Sequence, residues 1–131
     1  MSRLLVGTDE PVTSDAILDY LLDALGSSDE VCLVTSAPGG DETTSAEMAT
    51  GEEALDILDE GLGEAVTERH QFVRGNSPVE DLLAAAEDFD ADEYVVGIRK
   101  RSPVGKVMFG STAQTLLLDA DRPVRCVPLT E

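Results

Sequence analysis

Short apolar runs alternate with longer amphipathic stretches along the whole chain, and this alternation constrains the fold more than any other feature. Three runs, LLV at Leu4, VCLV at Val31 and YVV at Tyr94, are continuously apolar, as is typical of parallel strands buried on both faces. The order βαβαβαβαβ predicts one three-layer α/β/α domain over residues 1–131, built on a five-stranded parallel sheet. The predicted strands are Leu4–Gly7, Val31–Thr35, His70–Val73, Tyr94–Gly97 and Val124–Val127.

The stretches between these strands have apolar residues at helical spacing. Thr50 and Glu53 form a candidate capping box for the second helix, which leaves Pro38–Ala49 as an expected loop. Pro78 is expected at the first position of the third helix, and the fourth is expected to start at Ser111. The third strand is the most polar and is predicted to lie at a sheet edge. The apolar face of the second helix is predicted to comprise Leu55, Leu58, Leu62 and Val66.

Acidic residues outnumber basic ones by 27 to nine, which gives a formal net charge of −18 at pH 7. The acids are spread along the chain, so we interpret the excess as adaptation to the salt-filled cytoplasm of a halophilic archaeon. In molar salt the Debye length is about 3 Å, and the repulsion between acids is screened. The excess disfavours nucleic-acid partners, because the phosphate backbone would be repelled. With no signal peptide and no apolar stretch near 18 residues, a soluble cytoplasmic protein without membrane contact is expected.

The residues that most often bind metals are sparse. Cys32 and Cys126 stand apart in two apolar runs, which predicts small buried side chains on strands rather than a disulfide framework or a metal site. His70, the one histidine, is expected to be packed or solvated on the edge strand. No metal site and no catalytic residue is predicted from these residues.

One segment departs from the general acidity. The stretch VVGIRKRSPVGKVMFGSTAQ, Val95–Gln114, holds four of the nine basic residues, and residues 97–118 contain neither Asp nor Glu. It leads to a predicted helix start at Gly110-Ser111, where unpaired N–H groups and the helix dipole favour an anion. These features predict a phosphate site, although glycine and serine are also ordinary residues at helix starts. Because ligands of such sheets bind beyond the carboxyl ends of the strands, Thr8, Asp9 and Ser36 are further candidates.

The segment GIRKRSPVGKVMFGST resembles the loop after the fourth strand in the universal stress protein family. Nucleotide-binding members of that family show Gly, two residues, Gly, nine residues, then Gly and Ser or Thr. The similarity extends over nearly the whole chain, through LLVGTDEPVTSDAILDYLLD, RGNSPVEDLLAAAED and DRPVRCVP. It implies a universal stress protein domain with the strand order 3-2-1-4-5 of the adenine nucleotide alpha hydrolase-like fold.

The resemblance also implies a nucleotide site. Gly97 and Gly110 would admit the phosphates of ATP or a related adenine nucleotide, and Ser111 and Thr112 would bond them. Asp9 would approach the adenosine part; its alternatives are a cap of the first helix or one more acid of the surface. Asp9 and Glu10 also supply the hard oxygen ligands that suit Mg²⁺.

The second glycine of the pattern falls at position 100, where this chain has Lys100. The lysine side chain would obstruct the phosphates, point outward or contact the phosphates itself. Arg99, Lys100, Arg101 and Lys106 supply positive charge around that position.

Three functions remain open. The preferred one is a nucleotide-binding regulatory module of the stress response, acting as a homodimer with a regulatory partner that the residues do not identify. The second is a dimeric interaction protein of the same fold that binds no nucleotide, and the third is a slow ATPase. Dimerisation is expected through the apolar edge strand Val124–Val127, as the resemblance also implies. A phosphorelay receiver is excluded, because Arg74-Gly75 occupies the place of its acceptor aspartate.

Overall fold

The computed structural model describes residues 2–37, 45–73, 78–98 and 111–129, with only the backbone described at positions 36, 37, 73, 111 and 112. The predicted alternation of strands and helices is confirmed. The strands are β1 (Arg3–Gly7), β2 (Glu30–Ala37), β3 (Val66–Val73), β4 (Glu93–Ile98) and β5 (Val124–Pro128). The helices are α1 (Pro11–Ala24), α2 (Ser45–Leu62), α3 (Pro78–Phe89) and α4 (Ser111–Asp119), with a 3₁₀ turn at Gly63–Ala65.

The five strands form one parallel sheet in the order β3-β2-β1-β4-β5. The expected strand order is therefore confirmed, with the polar β3 at one edge and β5 at the other. β1 lies in the centre, paired with β2 on one side and β4 on the other. Gly7, the last residue of β1, is in register with Val96, so β4 continues for two residues beyond the end of β1.

Helices cover both faces of the sheet and enclose two apolar layers. On one face, α1 and α2 pack Ile17, Leu21 and Leu58 against strand residues such as Leu33. On the other face, α3 and α4 pack against the alternate strand positions, which include Cys32 and Tyr94. Right-handed crossovers explain this division, because the chain moves outward from β1 to β3 and then returns past β1 to β4. No helix in the described part of the chain has both the length and the apolarity needed to cross a membrane.

The second helix is longer than predicted and lies earlier in the chain. It begins at Ser45, so Thr50 is inside it and its hydroxyl donates to the Ala46 carbonyl oxygen at 2.9 Å. The predicted capping box was therefore wrong, and so was the assignment of residues 45–49 to a loop. The rest of the predicted loop, residues 38–44, lies outside the described part of the chain. The expected apolar position Val66 belongs to β3, because the 3₁₀ turn ends the helical stretch before it. The first turns of α2 are exposed and contain polar residues such as Glu47 and Thr50, so they have no apolar periodicity from which a helix could be predicted.

Candidate functional site

The central pair of strands defines the candidate site. β1 continues through α1 towards one edge of the sheet, whereas β4 continues through α4 towards the other edge. The crevice that opens at such a reversal of strand order is where parallel α/β sheets bind ligands. Here it lies beyond Gly7, the last residue of β1, and Ile98, the last residue of β4.

Thr8 follows β1 directly and is held by internal hydrogen bonds. Its amide donates to the Val34 carbonyl oxygen at 3.0 Å, and its hydroxyl lies 2.7 Å from the Ser14 hydroxyl. The Ser14 hydroxyl donates to the Ala54 carbonyl oxygen at 2.7 Å. Since a hydroxyl has one proton, Thr8 must be the donor to Ser14. The Thr8 proton is thus used inside the protein, and the residue fixes the path of the chain into Asp9.

Asp9 is exposed at the carboxyl end of β1, as a ligand-binding residue there would need to be. It is not the cap of the first helix, which was one of its alternative roles. The N-cap residue of α1 is Glu10, which makes no side-chain capping bond, and Pro11 takes the first helical position. The Asp9 carboxylate therefore has no capping role to satisfy, and it faces solvent beside the crevice.

Gly97 has a packing role that is visible in the structure. A Cβ atom at this position would stand 2.8 Å from Cγ2 of Thr13 and 3.1 Å from Cδ2 of Leu129, and both of these side chains are buried. The first turn of α1 thus lies closely against the end of β4, next to the crevice. Thr13 and Ser14 were not identified from the sequence. The signal in the sequence was a pair of adjacent hydroxyl residues near the start of a helix, six and seven residues after the end of β1.

The fourth helix begins at the carboxyl ends of the strands, where the crevice opens. α4 starts at Ser111, as predicted, and has no acidic residue in its first turn. Ser111 and Thr112 are therefore the residues whose backbone N–H groups the helix leaves free of helical partners. Ser36 lies near the end of β2, in register with Phe72. Arg99, Lys100, Arg101, Lys106 and Gly110 lie outside the described residues.

The arginines in the described part of the chain are all engaged with carboxylates. Arg3 pairs with Glu30, Arg69 with Asp56 and Asp59, Arg122 with Glu87 and Asp121, and Arg125 with Glu93. The other five basic residues of the chain are Arg74 and the four between positions 99 and 106. A phosphate would therefore need its cations from those five residues, unless it displaced an existing ion pair.

The two thiols are free and poorly suited to nucleophilic chemistry. Burial, with a smaller effect of Glu68, raises the pKa of the Cys32 thiol to about 12. Burial also raises the pKa of Cys126. Both thiols are therefore protonated at neutral pH, whereas a reactive cysteine is a thiolate.

An open cleft of about 440 Å³ lies at the opposite end of the sheet, between the carboxyl ends of α1 and α2. Leu21, Leu25, Gly61 and Asp29 contribute to its lining. This cleft lies beyond the amino ends of the strands, where parallel sheets do not place their ligands. It is separate from the crevice between β1 and β4.

Known proteins with this fold have the same overall organisation. The model of the universal stress protein family matches residues 1–128 of the chain. A universal stress protein of Mycolicibacterium smegmatis is 32% identical over 124 residues, 95% of each chain. A universal stress protein structure from Archaeoglobus fulgidus is 31% identical, with a TM-score of 0.74 over 97% of this chain and 98% of the other. The structure of the A. fulgidus protein in complex with dAMP is 27% identical, with a TM-score of 0.71 and the same coverage. The chain belongs to the universal stress protein family.

Proposed function

We propose that this protein is a cytoplasmic regulatory module that binds ATP or a related adenine nucleotide between the carboxyl ends of β1 and β4. The observation that carries the proposal is the reversal of strand order at that pair, with the start of α4 at the carboxyl ends of the strands. The dAMP complex of the A. fulgidus relative supports an adenine nucleotide as the ligand class. The acid excess supports a salt-filled cytoplasm as the place where the protein works.

The phosphates would lie at the start of α4. Ser111 and Thr112 would donate from backbone and hydroxyl, helped by the positive end of the helix dipole. Gly97 and Gly110 would leave room for the phosphates, and Arg99 and Lys100 would supply the charge that the paired arginines elsewhere do not offer. Because residues 97–118 contain neither Asp nor Glu, no carboxylate of that segment itself would repel the phosphates.

The adenosine part would lie over the ends of β1 and β2. Asp9 would approach it from β1, on a path fixed by the buried hydroxyls of Thr8 and Ser14. Ser36 would border it from the end of β2. A Mg²⁺ ion bridging phosphates and Asp9 fits the preference of this cation for oxygen ligands.

A thermal-shift titration with ATP and Mg²⁺ in molar KCl tests the proposal. Nucleotide at 100 times its dissociation constant stabilises the folded state by about 2.7 kcal/mol, so the Tm should rise. The Gly110→Val variant should lose the shift while keeping its own Tm close to that of the parent. Gly26→Ala, in the turn after α1, is the control and should keep the full shift. An equal shift in Gly110→Val would place the nucleotide elsewhere.

The second candidate function is a dimeric interaction protein that binds no nucleotide, and Lys100 in the place of the motif glycine favours it. If the lysine obstructs the phosphates, Lys100→Gly should bind ATP more tightly than the parent. If the lysine contacts them, the same change should weaken binding. No shift in either protein, with no co-purifying nucleotide, would support the interaction protein. Steady release of phosphate from ATP would support the slow ATPase instead.

We also propose a homodimer through β5, which forms an edge of the sheet. An edge strand has a free row of backbone hydrogen-bonding groups, and pairing with a second copy would satisfy them. The side chains of Val124 and Cys126 are only half-buried, so a partner would cover more apolar surface. Sedimentation in molar KCl, with and without ATP, should give the mass of two chains; the mass of one chain in both conditions would contradict the proposal.

A further inference from the structure

Three side chains with metal-binding atoms meet on the edge of the sheet that is remote from β5. Cys32 of β2 is in register with Glu68 of β3, and Val34 is in register with His70. Side chains at alternate positions of a strand lie on one face, so Glu68 and His70 are both on the face of Cys32. The Cys32 sulfur, a Glu68 carboxylate oxygen and a His70 ring nitrogen all lie within 4.8 Å of one another. We call these residues the Cys32–Glu68–His70 cluster.

The cluster joins a buried residue to two exposed ones. α3 packs against β1 and β2 on this face, and β3 lies beyond it at the edge. Cys32 is consequently buried, with 1% of its surface exposed, whereas the His70 and Glu68 side chains are 43% and 46% exposed. Two of the three side chains are therefore accessible to an ion from solvent, and the third lies in the core.

The two exposed side chains already have the spacing of ligands to one ion. His70 Nε2 lies 3.1 Å from a Glu68 carboxylate oxygen, and the His70 ring stacks on Phe72 with centroids 5.7 Å apart. In a tetrahedral zinc site, ligand atoms about 2.0–2.3 Å from the metal are about 3.3–3.6 Å from one another. The sulfur, within 4.8 Å of the other two atoms, has to approach them by about 1.5 Å at most, which changes of side-chain torsion allow.

We propose that the Cys32–Glu68–His70 cluster binds a divalent transition metal ion of the zinc class. A thiolate, an imidazole and a carboxylate form a donor set of borderline softness, which suits Zn²⁺ better than Mg²⁺ or Ca²⁺. Coordination displaces the thiol proton, and three protein ligands leave the fourth position of a tetrahedral ion open to water. The ion joins the edge strand β3 to β2, and so it stabilises the polar edge of the sheet. Sequence spacing gives no sign of this site, because its ligands come from two strands brought together by the fold.

Cobalt absorption tests the proposal directly. The protein is prepared without a polyhistidine tag, since His70 is its one histidine, and is titrated with Co²⁺ in molar KCl, which screens diffuse binding to the acidic surface. One equivalent of Co²⁺ should produce the visible bands of a tetrahedral site together with a sulfur-to-cobalt charge-transfer band. Zn²⁺ should abolish these bands and raise the Tm, whereas a large excess of Mg²⁺ should leave them in place.

Matched variants decide which residues bind the ion. Cys32→Ala should abolish the charge-transfer band, and Cys126→Ala, which removes the other thiol, should retain it. Glu68 and His70 lie on the edge strand β3 and are half-exposed, so their substitution should leave the core intact. Glu68→Gln and His70→Gln should each weaken cobalt affinity about 10-fold or more. Glu64→Gln, an exposed acid just before β3, should bind as the parent does. These edge variants keep the test decisive if Cys32→Ala fails to fold. Octahedral cobalt spectra, displacement by Mg²⁺, or unchanged affinity in Glu68→Gln and His70→Gln would each overturn the proposal.

Discussion

Gly97 shows how one missing side chain sets the distance between a helix and a strand at the candidate site. The contacts of a Cβ atom there are with Thr13 and Leu129, and both are too well buried to move into solvent. We therefore expect Gly97→Ala to lower the free energy of unfolding by about 1–3 kcal/mol through overpacking. Gly26→Ala is the control, because its nearest contact is the Asp29 carboxylate at 3.4 Å, and its cost should be within about 0.5 kcal/mol.

Urea unfolding in molar KCl measures both variants. Equal stability of Gly97→Ala and its parent would show that the first turn of α1 moves away from β4 without cost. In that case the glycine would owe its presence to a ligand rather than to packing.

The hydroxyls of Thr8 and Ser14 are expected to act as a coupled pair. Ser14→Ala leaves the buried Thr8 hydroxyl without its acceptor, so we expect a loss of about 1–3 kcal/mol. Thr8→Val removes that hydroxyl and keeps the side-chain shape, so the double variant should cost less than the two single changes together. A coupling energy of about 0.5 kcal/mol or more in this double-mutant cycle would confirm the pair. Strict additivity would show that the two hydroxyls act independently.

At the scale of single residues, the sequence predicted positions better than roles. Position in the fold placed Thr8 and Asp9 after β1 and Ser111 at the start of α4, because strand ends and helix starts have strong local signals. Hydrogen-bonding roles were not predictable in this way. Thr8 bonds to Ser14, and Ser14 bonds to Ala54 of another helix, so the partners depend on packing over 40 residues of chain.

The turn between α1 and β2 is an element whose stability should depend on pH. Asp29 accepts hydrogen bonds from the amide of Ser2 at 2.8 Å and from the amide of Gly26 at 2.7 Å. The Gly26 bond, then the Ser2 bond, lowers the pKa of Asp29 below its ordinary value of 3.8. Because the folded-state pKa is the lower one, the stabilisation is complete above pH about 4 and is lost as the pH falls through the folded-state pKa.

Asp29→Asn should therefore reduce stability at pH 7 by about 1 kcal/mol, and the difference from the parent should shrink as the pH falls below about 4. Melting temperatures measured from pH 7 to pH 2.5 at constant molar KCl give this difference. Asp23→Asn, an exposed acid on α1, is the control and should stay parallel to the parent. A difference between Asp29→Asn and its parent that did not change with pH would contradict the assignment.

At the scale of elements, the order was predictable from periodicity, and the boundaries were less so. The buried strands β1, β2 and β4 were found to within a few residues because they are continuously apolar. The start of α2 was missed because residues 45–50 are exposed, so burial left no apolar pattern in them. β3 was recognised in part, since its residues near Val66 followed the spacing of the preceding helix.

The whole molecule carries its positive charge unevenly, and this distribution links the fold to the proposed function. The arginines in the described part of the chain are neutralised by ion pairs with neighbouring carboxylates. The acid-free segment 97–118 therefore contains most of the basic residues that the described ion pairs do not use. Its charge acts against a background of −18, so both the stability of the domain and its attraction for phosphate depend on how far the acids act through the solvent.

The last prediction concerns that background. Raising KCl from 0.01 M to 1 M shortens the Debye length from about 30 Å to about 3 Å, and the mutual repulsion of the acids should fade over this range. We expect the Tm to rise with KCl and to level off near 1 M, where screening is complete. A variant with Asp15, Asp19 and Asp23 changed to asparagine removes three exposed charges from α1 and should rise less. Potassium sulfate at the same ionic strength is the control, because screening depends on ionic strength whereas exclusion of salt from the protein surface depends on the anion. If repulsion between the acids is the cause, plots of Tm against ionic strength should coincide for the two salts below about 0.3 M.

A Tm that kept rising in sulfate alone, with parent and variant in parallel, would show instead that salt acts through hydrophobic burial. The acid excess would then have little effect on stability.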